Sequence, residues 1–223
     1  MDPLLDHKIQ RRLGRIDLYE ESVFLTRFSK NGPGEPISCH EVSAADLAAA
    51  FAGLPISSPL LPPGCLHWQR MGGQDRFTIY HPPGLQQVII NEHGKRTILT
   101  IPLPGLIWQG AGTNYKVWAV KQRPQGSMET MFNAPFPNVY LRNGLVCWGD
   151  VTPPAAGADT VHRALQLFLE ADFNADLANH RSQKYPNDVR LLWRELDEEQ
   201  PKGYPLEDLA SAMSTFGEIT GGN

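Results

Sequence analysis

The sequence predicts an α+β fold: an antiparallel β-meander with flanking helices, preceded by an N-terminal β-β-α extension. Three observations predict it. From Leu66 to Lys121, short runs of β-forming residues follow one another with turn residues and no helix between them, which implies antiparallel pairing. From Val161 onward the apolar period becomes helical. Pro (19) and Gly (20) are frequent enough to favour many turns over a helical bundle.

In chain order, Lys8, Arg11, Arg12 and Arg15 outweigh Asp2 and Asp6, and the first 16 residues read as a short helix or a loose basic arm. Ser22–Phe28 alternates as a strand, Lys30–Pro36 turns, and Ile37–Val42 returns as a second strand. Ser43 is a good N-cap for a helix over Ala44–Ala52, stopped by Gly53 and Pro55. Residues 53–65, rich in Pro, Ser and Gly, read as a linker. The expected division is therefore an arm and extension over 1–60, a core over 61–216 and a flexible tail over 217–223.

Within the core, strands are expected at Leu66–Met71, Arg76–His81, Gln87–Asn91, Thr97–Pro102, Leu106–Trp108 and Lys116–Lys121. Asn143-Gly144 is a type I′ hairpin signal, and Leu145–Trp148 reads as the outgoing strand. Asp159 or Thr160 should cap a helix from Val161 to about Ala171, with further helices over Val189–Glu199 and Leu206–Phe216. Glu195, Asp197, Glu198 and Glu199 read most simply as a solvated helix end.

A net charge of −4 and a pI near 6.0 provide no general drive toward nucleic acid or an anionic membrane. Only the basic arm leaves room for a nucleic-acid-binding reading. The cysteines Cys39, Cys65 and Cys147 are odd in number and lack paired spacing, which argues against a disulfide framework and a structural zinc site. No signal-like or spanning apolar run occurs, so the expectation is a cytoplasmic protein without a metal or cofactor, in which a free thiol can act as a nucleophile.

The most informative stretch is Phe136-Pro-Asn-Val-Tyr-Leu-Arg-Asn-Gly-Leu-Val-Cys147-Trp-Gly-Asp150. It holds a thiol near an element's end and, close by in sequence, the amide side chain of Asn138. Acyl transfer through a thioester needs a thiolate and donors for the oxyanion, and Asn138 is a candidate donor. The plain alternatives are a buried packing cysteine and an asparagine that serves its own turn. No histidine lies within ten residues of Cys147, so no local Cys-His dyad is indicated.

This stretch resembles the ubiquitin-conjugating enzyme signature, in which His-Pro-Asn precedes a turn, a glycine and the active-site cysteine. Ile101–Trp108, Tyr115–Lys121, Met131–Tyr140 and Val146–Gly149 are similar to PRTRC system protein B, a prokaryotic ubiquitin-conjugating-like family. The resemblance covers about residues 20–200. It implies a ubiquitin-conjugating-like core in which Cys147 takes the C-terminus of a ubiquitin-like protein from a ThiF-like activating enzyme. A JAB-type metalloprotease is implied in the same cassette. It implies Asn138 as the oxyanion or loop-ordering residue, with Asp150 and Tyr140 as possible supports and Asp172 as a further candidate for polarising an amine. Phe136 stands where the signature has histidine, the Asn138-to-Cys147 spacing is longer by a residue, and Gly149-Asp150 replaces Leu-Asp. These departures leave open a catalytically idle scaffold that binds the ubiquitin-like protein or its activating enzyme.

Overall fold

The computed structural model describes residues 14–20, 22–29, 35–43, 45–47, 57–141 and 143–221. Its contacts separate two units, Met1–Ser57 and Ser58–Asn223.

In the first unit, β1 (Gly14–Leu18), β2 (Val23–Phe28) and β3 (Pro36–Val42) form an antiparallel sheet in that order. Part of the expected basic arm is thus a strand. Residues 14–18 satisfy their backbone groups along β2, and Arg15 pairs with Asp17 two residues on, at 2.8 Å. Residues 1–13 lie outside the described residues. Ser43 caps as expected, its Oγ accepting the Asp46 N–H at 3.0 Å, and 45–47 are helical. The rest of the expected 44–52 helix lies outside the described residues.

The second unit contains β4 (Cys65–Met71), β5 (Gln74–His81), β6 (Gly84–Glu92), β7 (Lys95–Leu103), β8 (Gly105–Ala111), β9 (Asn114–Val120), β10 (Thr130–Asn133), β11 (Asp172–Phe173) and β12 (Ser211–Thr215). A six-stranded sheet has the order β12-β10-β9-β8-β5-β4, and a three-stranded one the order β11-β6-β7. The meander is antiparallel as expected, and among the described residues only β11 joins its neighbour β6 in parallel. Among the described residues of this unit the α-helices are α1 (Val161–Leu169), α2 (Val189–Glu199) and α3 (Phe216–Thr220).

β8 is buried throughout 105–110 because both faces of the sheet are covered. Trp108 points to the larger core with Phe77, Val117, Phe168 and Trp193; Ile107 points to a smaller one with Trp118, Val120 and Met131. The buried Gln109 donates to Thr78 Oγ1 at 3.1 Å and to Ile219 O at 2.9 Å, tying the end of the chain to the sheet.

Several expectations are corrected. Leu206–Phe216 is not a helix; a 3₁₀ turn at Leu206–Asp208 leads into β12, and α3 begins at Phe216. The open edge of β10 supplies hydrogen-bond partners that outweigh helix propensity, and a bulge between Met131 and Phe132 throws Met213 outward at φ 54. Within the tail expected over 217–223, residues 217–220 belong to α3. Thr215 and Glu218 form a capping box, Gly217 N–H donates to Ser127 O at 2.7 Å, and Thr220 is buried. Thr160 precedes α1 but does not cap it, because its hydroxyl donates to Ala155 O at 2.6 Å.

The acidic end of α2 is only partly solvated. Asp197 accepts the Thr100 N–H at 2.6 Å, and Glu195 accepts from Lys184 Nζ and the Tyr185 hydroxyl, both at 2.6 Å. At the other end Asp188 caps α2 through Arg190 N, while Arg190 and Arg194 both reach Glu92 of β6. These links hold α2 against the β6–β7 hairpin.

Candidate functional site

The chain leaves β10 through Ala134-Pro135-Phe136-Pro137, with a tight turn closed by Phe136 N–H to Ala134 O at 2.7 Å. Phe136 is fully buried; its ring centroid lies 5.2 Å from that of Phe168 on α1 and 5.8 Å from that of Trp193 on α2. Trp193 Nε1 donates to Pro135 O at 2.9 Å. An apolar ring at this position therefore clamps the turn to both helices by packing.

Asn138 follows in the left-handed region at φ 60, a conformation asparagine tolerates better than most residues. Its N–H donates to Asp176 O at 3.1 Å and its side-chain Nδ2 to Asp172 O at 3.4 Å. The Cys147 N–H donates to Asn138 O at 2.7 Å, Val139 bridges Val146, and Tyr140 N–H donates to Leu145 O at 2.8 Å. Asn138 and Cys147 thus face each other across a short antiparallel pair of segments.

The loop that closes this pair is not the expected two-residue turn. Tyr140 pairs with Leu145 and accepts the Gly144 N–H at 2.9 Å, which puts the two paired positions five residues apart in sequence. Gly144 is required: its φ is +67, and a Cβ would meet Trp118 Cε2 and Val117 O at 2.8 Å each.

Leu145–Trp148 is also not a continuous strand. Leu145 bridges Lys116 of β9 and Val146 N–H reaches Tyr115 O at 2.9 Å, but pairing with β9 ends there. The backbone turns because Trp148 swings into the aromatic core, its ring centroid 5.8 Å from that of Tyr115 and 6.2 Å from that of Trp108. Gly149, at φ 56, completes the bend. Cys147 is left half-buried as a free thiol between the buried Val146 and this bend.

Of the other expected site residues, Tyr140 is 44% exposed beside the loop, and Asp150 is exposed just beyond the bend. Neither side chain makes a hydrogen bond among the described residues. Asp172 is committed elsewhere: its carboxylate pairs with Arg96 at 2.8 Å and accepts from Asn91 at 3.0 Å. Cys65 donates to His67 O at 3.4 Å, and burial pushes its thiol up. Cys39 is exposed in the first unit and accepts from Thr26 Oγ1 at 3.5 Å.

Sequence reasoning missed Tyr115, Asp176 and Trp193. Tyr115 donates its hydroxyl to Pro154 O at 2.9 Å, with its pKa pushed up by burial to about 12, and so pins the segment after Cys147 across the sheet. The contributions from Asp176 and Pro135 are backbone carbonyls, which residue identity does not advertise. Among the described residues, no three His, Cys, Asp or Glu side chains are grouped to hold a metal, and no helix is long and apolar enough to cross a membrane.

A family model described as prokaryotic E2 family D matches residues 42–212. Neither the curated proteins nor the solved structures give a match. The matched span contains the whole Pro135–Asp150 segment and the meander before it. At family level this supports a ubiquitin-conjugating-like function, with a ubiquitin-like protein as the general kind of partner. Because the match takes in well over half of the sequence, this chain belongs to prokaryotic E2 family D.

Proposed function

We propose that Cys147 carries the C-terminus of a ubiquitin-like protein as a thioester and passes it to an acceptor nucleophile. The single observation that carries this reading is the 2.7 Å hydrogen bond from Cys147 N–H to Asn138 O, which keeps amide and thiol residues opposite each other. In the first step the Cys147 thiolate attacks the thioester carbonyl held on a ThiF-like activating enzyme. A new C–S bond forms and the activating enzyme's thiolate leaves. In the second step an acceptor amine attacks the Cys147 thioester, a C–N bond forms, the Cys147 thiolate leaves and the amine proton goes to solvent. The Asn138 amide is the donor for the oxyanion in both steps. Its bond to Asp172 O is 3.4 Å, long enough to be exchanged for a shorter bond to a charged oxygen. Tyr140 and Asp150 flank the approach of the acceptor, and a JAB-type metalloprotease would reverse the conjugation.

A second reading is a scaffold that binds the ubiquitin-like protein without chemistry. It is favoured by one observation: no basic side chain hydrogen-bonds the Cys147 thiol among the described residues. Incubation with the activating enzyme, the ubiquitin-like protein and ATP separates the two. The transferase reading expects an adduct on a non-reducing gel that is lost with reductant and absent in Cys147→Ala. An active partner set that charges its own cysteine but never this chain would sink it and leave the scaffold.

A further inference from the structure

The second half of α2 places Leu192, Glu195, Leu196 and Glu199 at i, i+3, i+4 and i+7, so one face of the helix sets two carboxylates beside two leucines. Gln200 ends the helix at φ 47, and Pro201 and Pro205 stiffen the chain that leads to the 3₁₀ turn at Leu206–Asp208. Helix and returning chain enclose a cavity of about 560 Å³. Its apolar lining is Leu192 and Leu196 with the half-buried Pro201 and Pro205.

The charged lining of this cavity is unbalanced. Lys184 and Glu195 neutralise each other at 2.6 Å. Asp208 is buried and accepts from Ser182 Oγ at 2.9 Å, Lys184 N at 2.7 Å and the Tyr204 hydroxyl at 3.5 Å, none of which carries a positive charge. Glu199 and Glu207 are exposed, and neither carboxylate makes a hydrogen bond or an ion pair among the described residues. Three carboxylates therefore line the cavity without an ion-pair partner. Their field reaches the neighbouring side chains. Burial first, then the charges of Asp208 and Glu207, hold the Tyr204 hydroxyl well above the usual phenol range. Lys184 is raised first by its bond to Glu195, and Glu199 adds to it.

We propose that this cavity docks a basic segment of a polypeptide partner, whose lysine or arginine side chain lays its stem on the leucines and prolines and brings its charge to Glu199 and Glu207. Charge complementarity selects the cation, and the apolar lining selects one carried on a long stem. The rim selects a polypeptide. Gly203 lines the cavity, and neither its N–H nor its C=O is hydrogen-bonded among the described residues. A free amine cation has only donors, whereas a peptide main chain offers a carbonyl to that N–H and an N–H to that carbonyl. Nucleic acid is repelled by the same carboxylates. The docking needs no chemistry at Cys147.

The test is an NMR titration of the full chain with three probes: N-acetyl-Ala-Lys-Ala amide, its norleucine counterpart and n-butylamine. The lysine peptide is expected to bind at least about threefold more tightly than either of the others, the worth of a partly exposed ion pair. Shifts should centre on Leu192–Glu199 and Gly203, and the preference over norleucine should shrink as salt is added. Glu199→Gln and Glu207→Gln together should abolish that preference; both side chains are exposed, so the fold is expected to survive the change. No binding of the lysine peptide, equal binding of the lysine and norleucine peptides, or a preference that survives the double substitution overturns the proposal. Binding of n-butylamine as tight as that of the lysine peptide overturns the assignment to a polypeptide. The titration is repeated on Cys147→Ala, so its failure and a failure of the thioester assignment are read separately.

Discussion

Asn138 combines two properties that substitution can separate: a left-handed backbone and a side-chain amide. Asn138→Gly keeps the first and removes the second. It is expected to fold with stability near that of the parent while thioester formation or discharge slows about 100-fold or more, the usual cost of losing an oxyanion donor. Asn138→Ala should add about 1 kcal/mol of destabilisation from the backbone alone. Single-turnover transfer beside urea unfolding measures both, and full-rate transfer by Asn138→Gly would remove the amide from the mechanism. Gly144→Ala is expected to cost more than 2 kcal/mol, since conformation and space both oppose a Cβ. At this scale Cys147 and Asn138 stand out in the sequence as candidates, because the resembled signature fixes residue types and order, and the backbone bond between them is what the structure adds. The commitment of Asp172 to Arg96 was not legible there, because it depends on residues far apart in the chain.

Elements with one strong period were legible, and elements defined by a neighbour were not. α1 and α2 show their apolar faces in sequence, and the meander from β4 to β9 follows from alternation and turns. Leu206–Phe216 has a spacing compatible with a helix, yet the free edge of β10 draws it into β12; no local pattern contains that edge. Asn143-Gly144 likewise signals a short turn, but pairing of Gly144–Val146 to β9 sets a longer loop. The clamp on the candidate site can be tested at this scale. Trp193→Phe keeps most of the aromatic packing and removes the Nε1 bond to Pro135 O, leaving a buried carbonyl unpaired. It is expected to cost about 1–3 kcal/mol in urea unfolding, with amide exchange rising first around Pro135–Asn138. A loss spread evenly over the second unit would mean that the turn is held by ring packing alone.

The dependence of stability on pH belongs to the second unit as a whole, because its titrating links lie on different elements. His67 and His81 have pKa values lowered first by burial, with Arg76 and His162 adding charge repulsion. The unfolded chain therefore binds protons that the fold resists, and stability falls as the pH drops through about 6.5 toward the lower folded values. Carboxylates act in a separate window. The Arg194 hydrogen bond lowers Glu92, and the Lys184 hydrogen bond lowers Glu195. At Asp188 burial raises the pKa, but the Arg190 bonds outweigh it. Their contribution is complete above the unfolded carboxylate range, about pH 4, and is lost as the pH falls through the folded values below it. Urea unfolding from pH 8 to pH 3 is thus expected to show a shallow acid-side loss below neutrality and a steeper one near pH 4. His81→Gln should flatten the first limb and leave the second, while Arg190→Met should weaken the second and leave the first. The two limbs have different owners: one reports burial at the β4–β5 edge of the sheet, the other the ion pairs of α2, of which those to Glu92 fasten it to the β6–β7 hairpin. A single substitution that removed both limbs would show that the edge and the hairpin unfold as one cooperative unit whose titration cannot be assigned to either.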